Sequence, residues 1–216
     1  MRFENRRQAG RELALRLDEW AKSRDLADVT VVALPRGGVP VGAEIARVLK
    51  MPLDILVVRK IGVPGAPEVG IGAIVGDDPP LYDRAGLAAL HLSEEGLDSE
   101  VTRERAELHR REQVYRAGRP PYGIRGRSVM LVDDGLATGI TARAALRHLR
   151  SREPHRLTLA VPVCIPDMAA ALGKEADDVV SLHQPQSLRS VGEWYADFRQ
   201  VSDEEVLDAL REPDQA

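Results

Sequence analysis

Two adjacent carboxylates, Asp133 and Asp134, follow a short apolar run, residues 129–132, and lead into Gly135-Leu136-Ala137-Thr138-Gly139-Ile140-Thr141. The unbroken apolar run suits a strand buried on both faces of a parallel sheet. The turn after the acids carries glycines at 135 and 139 and hydroxyls at 138 and 141. A helical pattern follows, with Ala142, Ala145, Leu146 and Leu149 on one face. Backbone N–H groups of such a turn, backed by a helix N-terminus, can converge on one phosphate, and Thr138 and Thr141 add hydroxyl donors. The acids cannot be phosphate ligands, because like charges repel. They can accept hydrogen bonds from vicinal hydroxyls, or hold a divalent cation through water. A phosphate next to a diol next to a metal describes a phosphorylated ribose. Packing alone asks for no pair of adjacent acids here.

A second anion feature precedes it. In Pro35-Arg36-Gly37-Gly38 the glycines let backbone approach an anion closely and Arg36 supplies a forked charge. The plain alternative is a simple strand-to-helix turn. Lys60 follows a second apolar run. Six arginines (Arg103, Arg105, Arg110, Arg111, Arg116 and Arg119) cluster ahead of residue 129, with Glu104, Glu107 and Glu112 interleaved at helix-pairing distances. For residues 103–111 a solvated helix face is the preferred reading. Trp194, Tyr195 and Phe198 could stack on a base, but in a chain with 4% aromatics they suit hydrophobic filling better.

Hydrophobic residues, Asp133-Asp134 and Ala137-Thr138-Gly139-Ile140-Thr141 together resemble the phosphoribosyl-diphosphate (PRPP) signature of the type I phosphoribosyltransferases. The resemblance implies that residues 133–141 bind PRPP, with residues 137–141 on the 5′-phosphate and Asp133 and Asp134 on the ribose hydroxyls beneath the developing positive charge. It implies Mg²⁺ near Asp133 and Asp134, reached through water or the ligand. In this family the loop after the first strand holds the pyrophosphate, often with a strained peptide. That assigns Arg36, Gly37 and Gly38 to the pyrophosphate, with Arg36 joining the two acids as catalytic. Lys60 is a further pyrophosphate candidate, although a surface lysine fits its position nearly as well. Arg116 and Arg119 lie where the family carries a mobile loop that closes over the pyrophosphate and excludes water.

The implied activity is transfer of the 5-phosphoribosyl group from PRPP to a nitrogenous base, with inversion and release of pyrophosphate. Hypoxanthine-guanine members carry an aspartate three residues after the second acid. Here that residue is Ala137, which makes hypoxanthine or guanine a poor fit as acceptor. The basic and acidic loop pattern of the orotate enzymes is absent as well. The rival on the same fold is a PRPP-sensing regulator without chemistry. A dinucleotide fold ranks last, because no G-x-G-x-x-G follows any strand.

These residues need a scaffold. Residues 6–22 form an amphipathic helix with Ala9, Leu13, Leu17 and Trp20 at helical spacing. Residues 29–34 are expected as the first core strand, with a helix through Val41, Ile45, Val48 and Leu49. Residues 53–58 are the second strand, with residues 59–62 leaving its end. Residues 63–68 are expected as loop, 69–75 as an antiparallel strand, and 77–80 as a turn. A short helix spans 84–92, and a long surface helix runs from about 93 to 116 before a loop at 118–126. After the central strand and helix come a strand at 156–163, a helix at 166–172, a strand at 178–182 and a terminal helix at 203–210. Alternating strands and helices mean a doubly wound α/β fold, in which ligands sit beyond the strands' carboxyl ends. The resemblance implies a mainly parallel five-stranded core, about 27–183, in one domain of 216 residues. A small hood would come from about 1–26 and 184–216, with part of 77–125.

The net charge of −4 argues against a general nucleic-acid binder. The single cysteine, Cys164, excludes an internal disulfide and reads as a buried small side chain. No apolar stretch reaches membrane-spanning length and no signal-peptide segment is visible at the N-terminus, so a cytoplasmic protein is expected. Expected partners are PRPP and a small-molecule base, with no nucleic acid or membrane, and a homodimer as the oligomer.

Overall fold

The computed structural model describes residues 2–22 and 28–211. The expected boundary between hood and core near residue 27 lies outside the described residues, as do residues 1 and 212–216. Helix α1 (Arg6–Ala21) begins at Asn5, whose side chain accepts the Gln8 N–H, and buries Ala9, Leu13 and Leu17. Strand β1 (Val29–Ala33) is buried throughout and turns at once into α2 (Gly38–Leu49). The short β2 (Leu53–Ile55) follows, then β3 (Val58–Val63), β4 (Ala66–Val75), β5 (Leu81–Tyr82), α3 (Arg84–Ala89) and the long α4 (Asp98–Arg116). The remainder alternates: β6 (Ser128–Val132), α5 (Ile140–Arg150), β7 (Arg156–Val163), α6 (Pro166–Leu172), β8 (Asp178–His183) and α7 (Asp203–Arg211).

Five strands form one parallel sheet in the order β2-β1-β6-β7-β8, so the expected mainly parallel core is present. Strand order reverses between β1 and β6, and this is where an open α/β sheet leaves a crevice outside its carboxyl edge. Both strands are buried along their full length, as their apolar runs require. The apolar stripe of α5, Ala142, Ala145, Leu146 and Leu149, is buried as its spacing demands. Cys164 is buried, and burial pushes its thiol up.

The segment after β2 departs from expectation. The second strand ends at Ile55, and residues 58–63 leave the core to pair antiparallel with β4 in a separate three-stranded sheet, β3-β4-β5. Residues 63–68, expected as loop, hold a tight turn with Gly65 at φ 78°, and β4 starts at Ala66. The prolines at 64 and 67 sit at the turn and near the strand's start, where few ladder bonds need their missing N–H. The antiparallel strand at 69–75 is present within β4. Helix α4 carries the thin stripe read from the sequence: Leu97 just before it, Leu108 and Tyr115 are buried, and Val101 packs against the core.

Candidate functional site

The loops after β1 and β6 meet at the switch point. Leu34 N–H donates to the Val132 carbonyl at 2.9 Å, so the β1–β6 ladder continues one residue into the loop. Gly38 N–H then closes a turn on the Leu34 carbonyl, and the Pro35–Arg36 peptide bond is cis. Side-chain space decides the glycines. A Cβ on Gly37 would lie 2.1 Å from Asp134 Oδ2, and one on Gly38 would lie 2.8 Å from the Val132 carbonyl oxygen. Only glycine lets this loop press against the acid pair.

Past the acids the chain needs two further glycines. Gly135, at φ 153°, passes so close to Val191 that a Cβ would sit 2.6 Å from Val191 Cγ1. Gly139 is left-handed at φ 67° and opens α5, with Met168 Sδ 2.3 Å from where a Cβ would be. Leu136 is buried and bridges to Cys164 on the neighbouring strand's exit, whereas Ala137 and Thr138 are exposed beside the helix N-terminus.

A crevice of about 360 Å³ opens on this junction, and Arg36, Gly37, Asp133, Asp134, Thr141 and Phe198 are among its walls. Thr138 and Ile140 face a neighbouring cavity of about 630 Å³ with Arg143 and Arg147, so the predicted phosphate turn straddles two openings. Asp133 is pushed well above the usual carboxylate range by burial and by Asp134 beside it. A hydrogen bond from the Asp134 N–H to Asp133 Oδ1, 2.9 Å, and the charge of Arg6 oppose this. Burial also raises Asp134, opposed by Arg6. Among the described residues no three His, Cys, Asp or Glu side chains gather as metal ligands. Two adjacent carboxylates are hard oxygen donors suited to Mg²⁺, whose other positions would be filled by water and ligand oxygens.

Three groups make contacts here that sequence reasoning did not show. Arg6, at the start of α1, donates from Nε to Asp134 Oδ2 at 2.7 Å. Tyr195 is buried, and its hydroxyl donates to the Asp134 carbonyl at 2.6 Å; burial and the nearby Asp134 charge raise its pKa strongly. Asp203, the first residue of α7, lies 3.6 Å from Arg36 and accepts the Tyr115 hydroxyl at 2.6 Å. Burial and that hydrogen bond push Tyr115 up to about 12. The sequence held one clue to Arg6. Its first turn has Arg6 and Arg7 and no acid, against the helix dipole, which marks these cations as candidates for an acid partner elsewhere in the fold.

Three predicted pyrophosphate residues are not brought to this crevice. Lys60 lies in β3 instead of a loop; its stem covers Gly70 and its Nζ donates to the Glu68 carbonyl at 3.0 Å. Arg116 is pinned to β2, donating to Asp54 Oδ1 at 3.0 Å and to the Ile55 carbonyl at 2.8 Å. Arg119 lines a separate cavity of about 730 Å³ with Pro120, Tyr122 and Leu210. For Lys60 the cause is the excursion into the second sheet, which carries residues 58–75 out of the core sheet. Of the remaining arginines, Arg103 and Arg110 lie on the solvated helix face, whereas Arg111 is mostly buried. Arg110 and Arg111 both bind Glu107, holding its carboxyl down at about 2, and Arg105 reaches the Gly76 and Asp78 carbonyls.

The aromatics divide. Tyr195 packs with Phe3 as filling, and Trp194 stacks on His183 with ring centroids 5.3 Å apart. Phe198 stacks on Tyr195 and is one of the crevice's walls. No helix among the described residues is long and apolar enough to cross a membrane.

Comparison with known proteins gives the family. A family model described as "Phosphoribosyl transferase domain" matches residues 5–199. Two Mycobacterium tuberculosis proteins, from strains CDC 1551 and H37Rv and both named as candidate phosphoribosyl transferases, are 41% identical over 205 residues. The match takes in 95% of this chain and 45% of theirs, so the chain spans under half the length of these curated relatives. The crystal structure of TT1426 from Thermus thermophilus superposes with a TM-score of 0.79 at 40% identity, covering 98% of this chain and 99% of that one. The AQ2163 protein from Aquifex aeolicus superposes with a TM-score of 0.53 at 10% identity, over 87% of this chain and 78% of that one, which is likeness of fold alone. Matched along nearly its whole length by model and relatives alike, this chain belongs to the phosphoribosyl transferase domain family.

Proposed function

We propose that this chain transfers the 5-phosphoribosyl group of PRPP to a nitrogenous base, with Mg²⁺, and that the crevice between the loops after β1 and β6 is where this occurs. One observation supports it above the rest: Gly37 lies against the Asp134 carboxylate so closely that a Cβ would be 2.1 Å from Oδ2. An anion-suited loop and a diol-suited acid pair therefore share one crevice. In this reading the N–H groups and hydroxyls of residues 137–141 hold the 5′-phosphate, and Gly135 and Leu136 carry the turn. Arg36, with the backbone of Gly37 and Gly38, holds the pyrophosphate. Asp133 and Asp134 accept the ribose hydroxyls and lie beneath the anomeric carbon as positive charge develops. The acceptor nitrogen forms its bond to that carbon from the face opposite the pyrophosphate, and the bond to the leaving oxygen breaks. Bound Mg²⁺ supplies charge neutralisation for the pyrophosphate. The described residues of 2–22 and 184–211 act as the hood in this reading.

Lys60, Arg116 and Arg119 would join the pyrophosphate only after rearrangement, so Arg36 is the primary cation. The test is incubation with Mg²⁺, PRPP and a panel of free bases, read by released pyrophosphate. Alongside it, calorimetry compares the wild type with Asp133→Asn and Asp134→Asn. Base-dependent pyrophosphate release is expected, with binding of Mg-PRPP weakened about tenfold to a hundredfold in each variant, the loss of a charge-assisted hydrogen bond. Unchanged binding in both variants would reject the assignment. Tight binding without turnover on any base would favour a sensor over an enzyme.

A further inference from the structure

Arg6 is held by more than its acid partner. A terminal nitrogen donates to the Arg199 carbonyl at 2.9 Å, and the guanidinium carbon lies 3.9 Å from the centre of the Phe198 ring. The side chain is only 11% exposed. These two contacts fix the guanidinium from the tail's side, so it is a preset donor to which Asp134 must conform. Each acid of the pair is thereby committed at one oxygen. Asp133 Oδ1 accepts the Asp134 N–H, and Asp134 Oδ2 accepts Arg6 Nε. Among the described residues no other residue's side chain donates to Asp133 Oδ2 or Asp134 Oδ1, and both acids line the crevice. Two adjacent residues thus each present one uncommitted anionic oxygen, one for each hydroxyl of a vicinal diol.

We infer that Arg6 is a positioning residue: it fixes the rotation of Asp134 so that one oxygen is spent on the guanidinium and the other is offered to a single ribose hydroxyl. The inference rests on the reading that the crevice takes a phosphorylated ribose. It makes the N-terminal helix part of the sugar specificity, through a residue in the crevice wall whose Nε is spent on Asp134. It also separates the two acids. Asp133 is oriented by the backbone alone and does not depend on Arg6, whereas Asp134 does.

The experiment is calorimetric binding of ribose 5-phosphate and its 2-deoxy and 3-deoxy analogues, with Mg²⁺ present, to the full chain and to Arg6→Met. The wild type should prefer the parent sugar over each analogue by about tenfold to a hundredfold, one hydrogen bond to a charged group in each case. In Arg6→Met the preference should shrink by about tenfold for one analogue, the one lacking the hydroxyl that Asp134 holds, and persist for the other. Arg6→Lys, which keeps the charge but not the fork, should recover part of the lost ratio. If Arg6→Met does not fold, Phe198→Leu carries the same test, since it removes the ring that holds the guanidinium. Both preferences kept in the variant, or both lost equally, would overturn the inference and leave the ribose reading standing. Wild-type protein that binds none of the three sugars would overturn both.

Discussion

At the scale of single residues the acid pair sets function against stability. Asp133 and Asp134 are adjacent and part-buried, with the Arg6 guanidinium paired to Asp134. Desolvation and mutual repulsion raise Asp133 above its unfolded value. A raised carboxyl contributes stability when protonated, at pH below the unfolded value, and that contribution is lost as pH rises through the folded value. At neutral pH the pair therefore costs stability in the ligand-free protein. Asp133→Asn keeps an oxygen for the Asp134 N–H, removes the repulsion, and should raise Tm at neutral pH by about 2–4 °C, the shift that ~1 kcal/mol gives in a chain of this size. The gain should fade on acidification as the wild-type pair takes up a proton. Scanning calorimetry at neutral and mildly acidic pH, without ligand, reads both effects; an unchanged or lowered neutral-pH Tm would mean that Arg6 offsets the repulsion fully.

At the scale of elements, what counts is how closely two loops can approach. The β1–α2 loop touches the acid pair only because residues 37 and 38 have no side chain. Gly37→Ala sets a methyl group 2.1 Å from Asp134 Oδ2, so either the loop or the carboxylate must move. Mg-PRPP affinity should fall by at least about tenfold, comparable to losing a charge-assisted hydrogen bond. Gly123→Ala is the control, because a Cβ there meets nothing within 4 Å. Equal affinities in the two variants would show that the loop takes no part in binding. The second element-scale feature is α7, whose first residue, Asp203, ties Tyr115 of α4 to Arg36 of the loop. The loop's cation is thus oriented by two helices distant in sequence.

At the scale of the whole molecule, the two chain ends are joined to each other and then to the site. Phe3 pairs with the tail through backbone bonds to Trp194 and Ala196, and its ring is buried against Tyr195. Tyr195 in turn reaches the Asp134 carbonyl, and Phe198 holds Arg6. This cluster of Phe3, Ala9 and Tyr195 is separate from the two main cores on the sheet's faces. A small satellite cluster can open without global unfolding. Phe3→Ala, a truncation of the class that costs about 3–5 kcal/mol in a core, should therefore release the tail locally. Limited proteolysis should cut within residues 184–202 while the sheet's circular dichroism persists, and Mg-PRPP affinity should drop with the loss of the Tyr195 and Arg6 anchors. Resistance to cleavage would show that the ends dock independently of this ring.

The central strands β1, β6 and β7 were legible because each is an apolar run, and a strand buried on both faces allows little else. The end of β2 at Ile55 was not, because apolar residues continue past it. The acid pair and its glycine turn were legible because local order alone puts them at a strand end before a helix. Residues 58–68 were not, since a hairpin leaving the core and a loop beside it share the same prolines, glycine and short apolar runs. That ambiguity misplaced Lys60, which is in a strand of the second sheet. The contacts that Arg6, Tyr195 and Asp203 make at the site were not legible, for a different reason. Arg6 and Asp134 stand 128 positions apart, and no periodicity links them. Sequence determined which residues could meet a phosphate and a diol, because that chemistry is written within a dozen consecutive positions. Only the tertiary structure decided which oxygen of each acid stays uncommitted, because that depends on side chains brought together by packing, which carries no local signal.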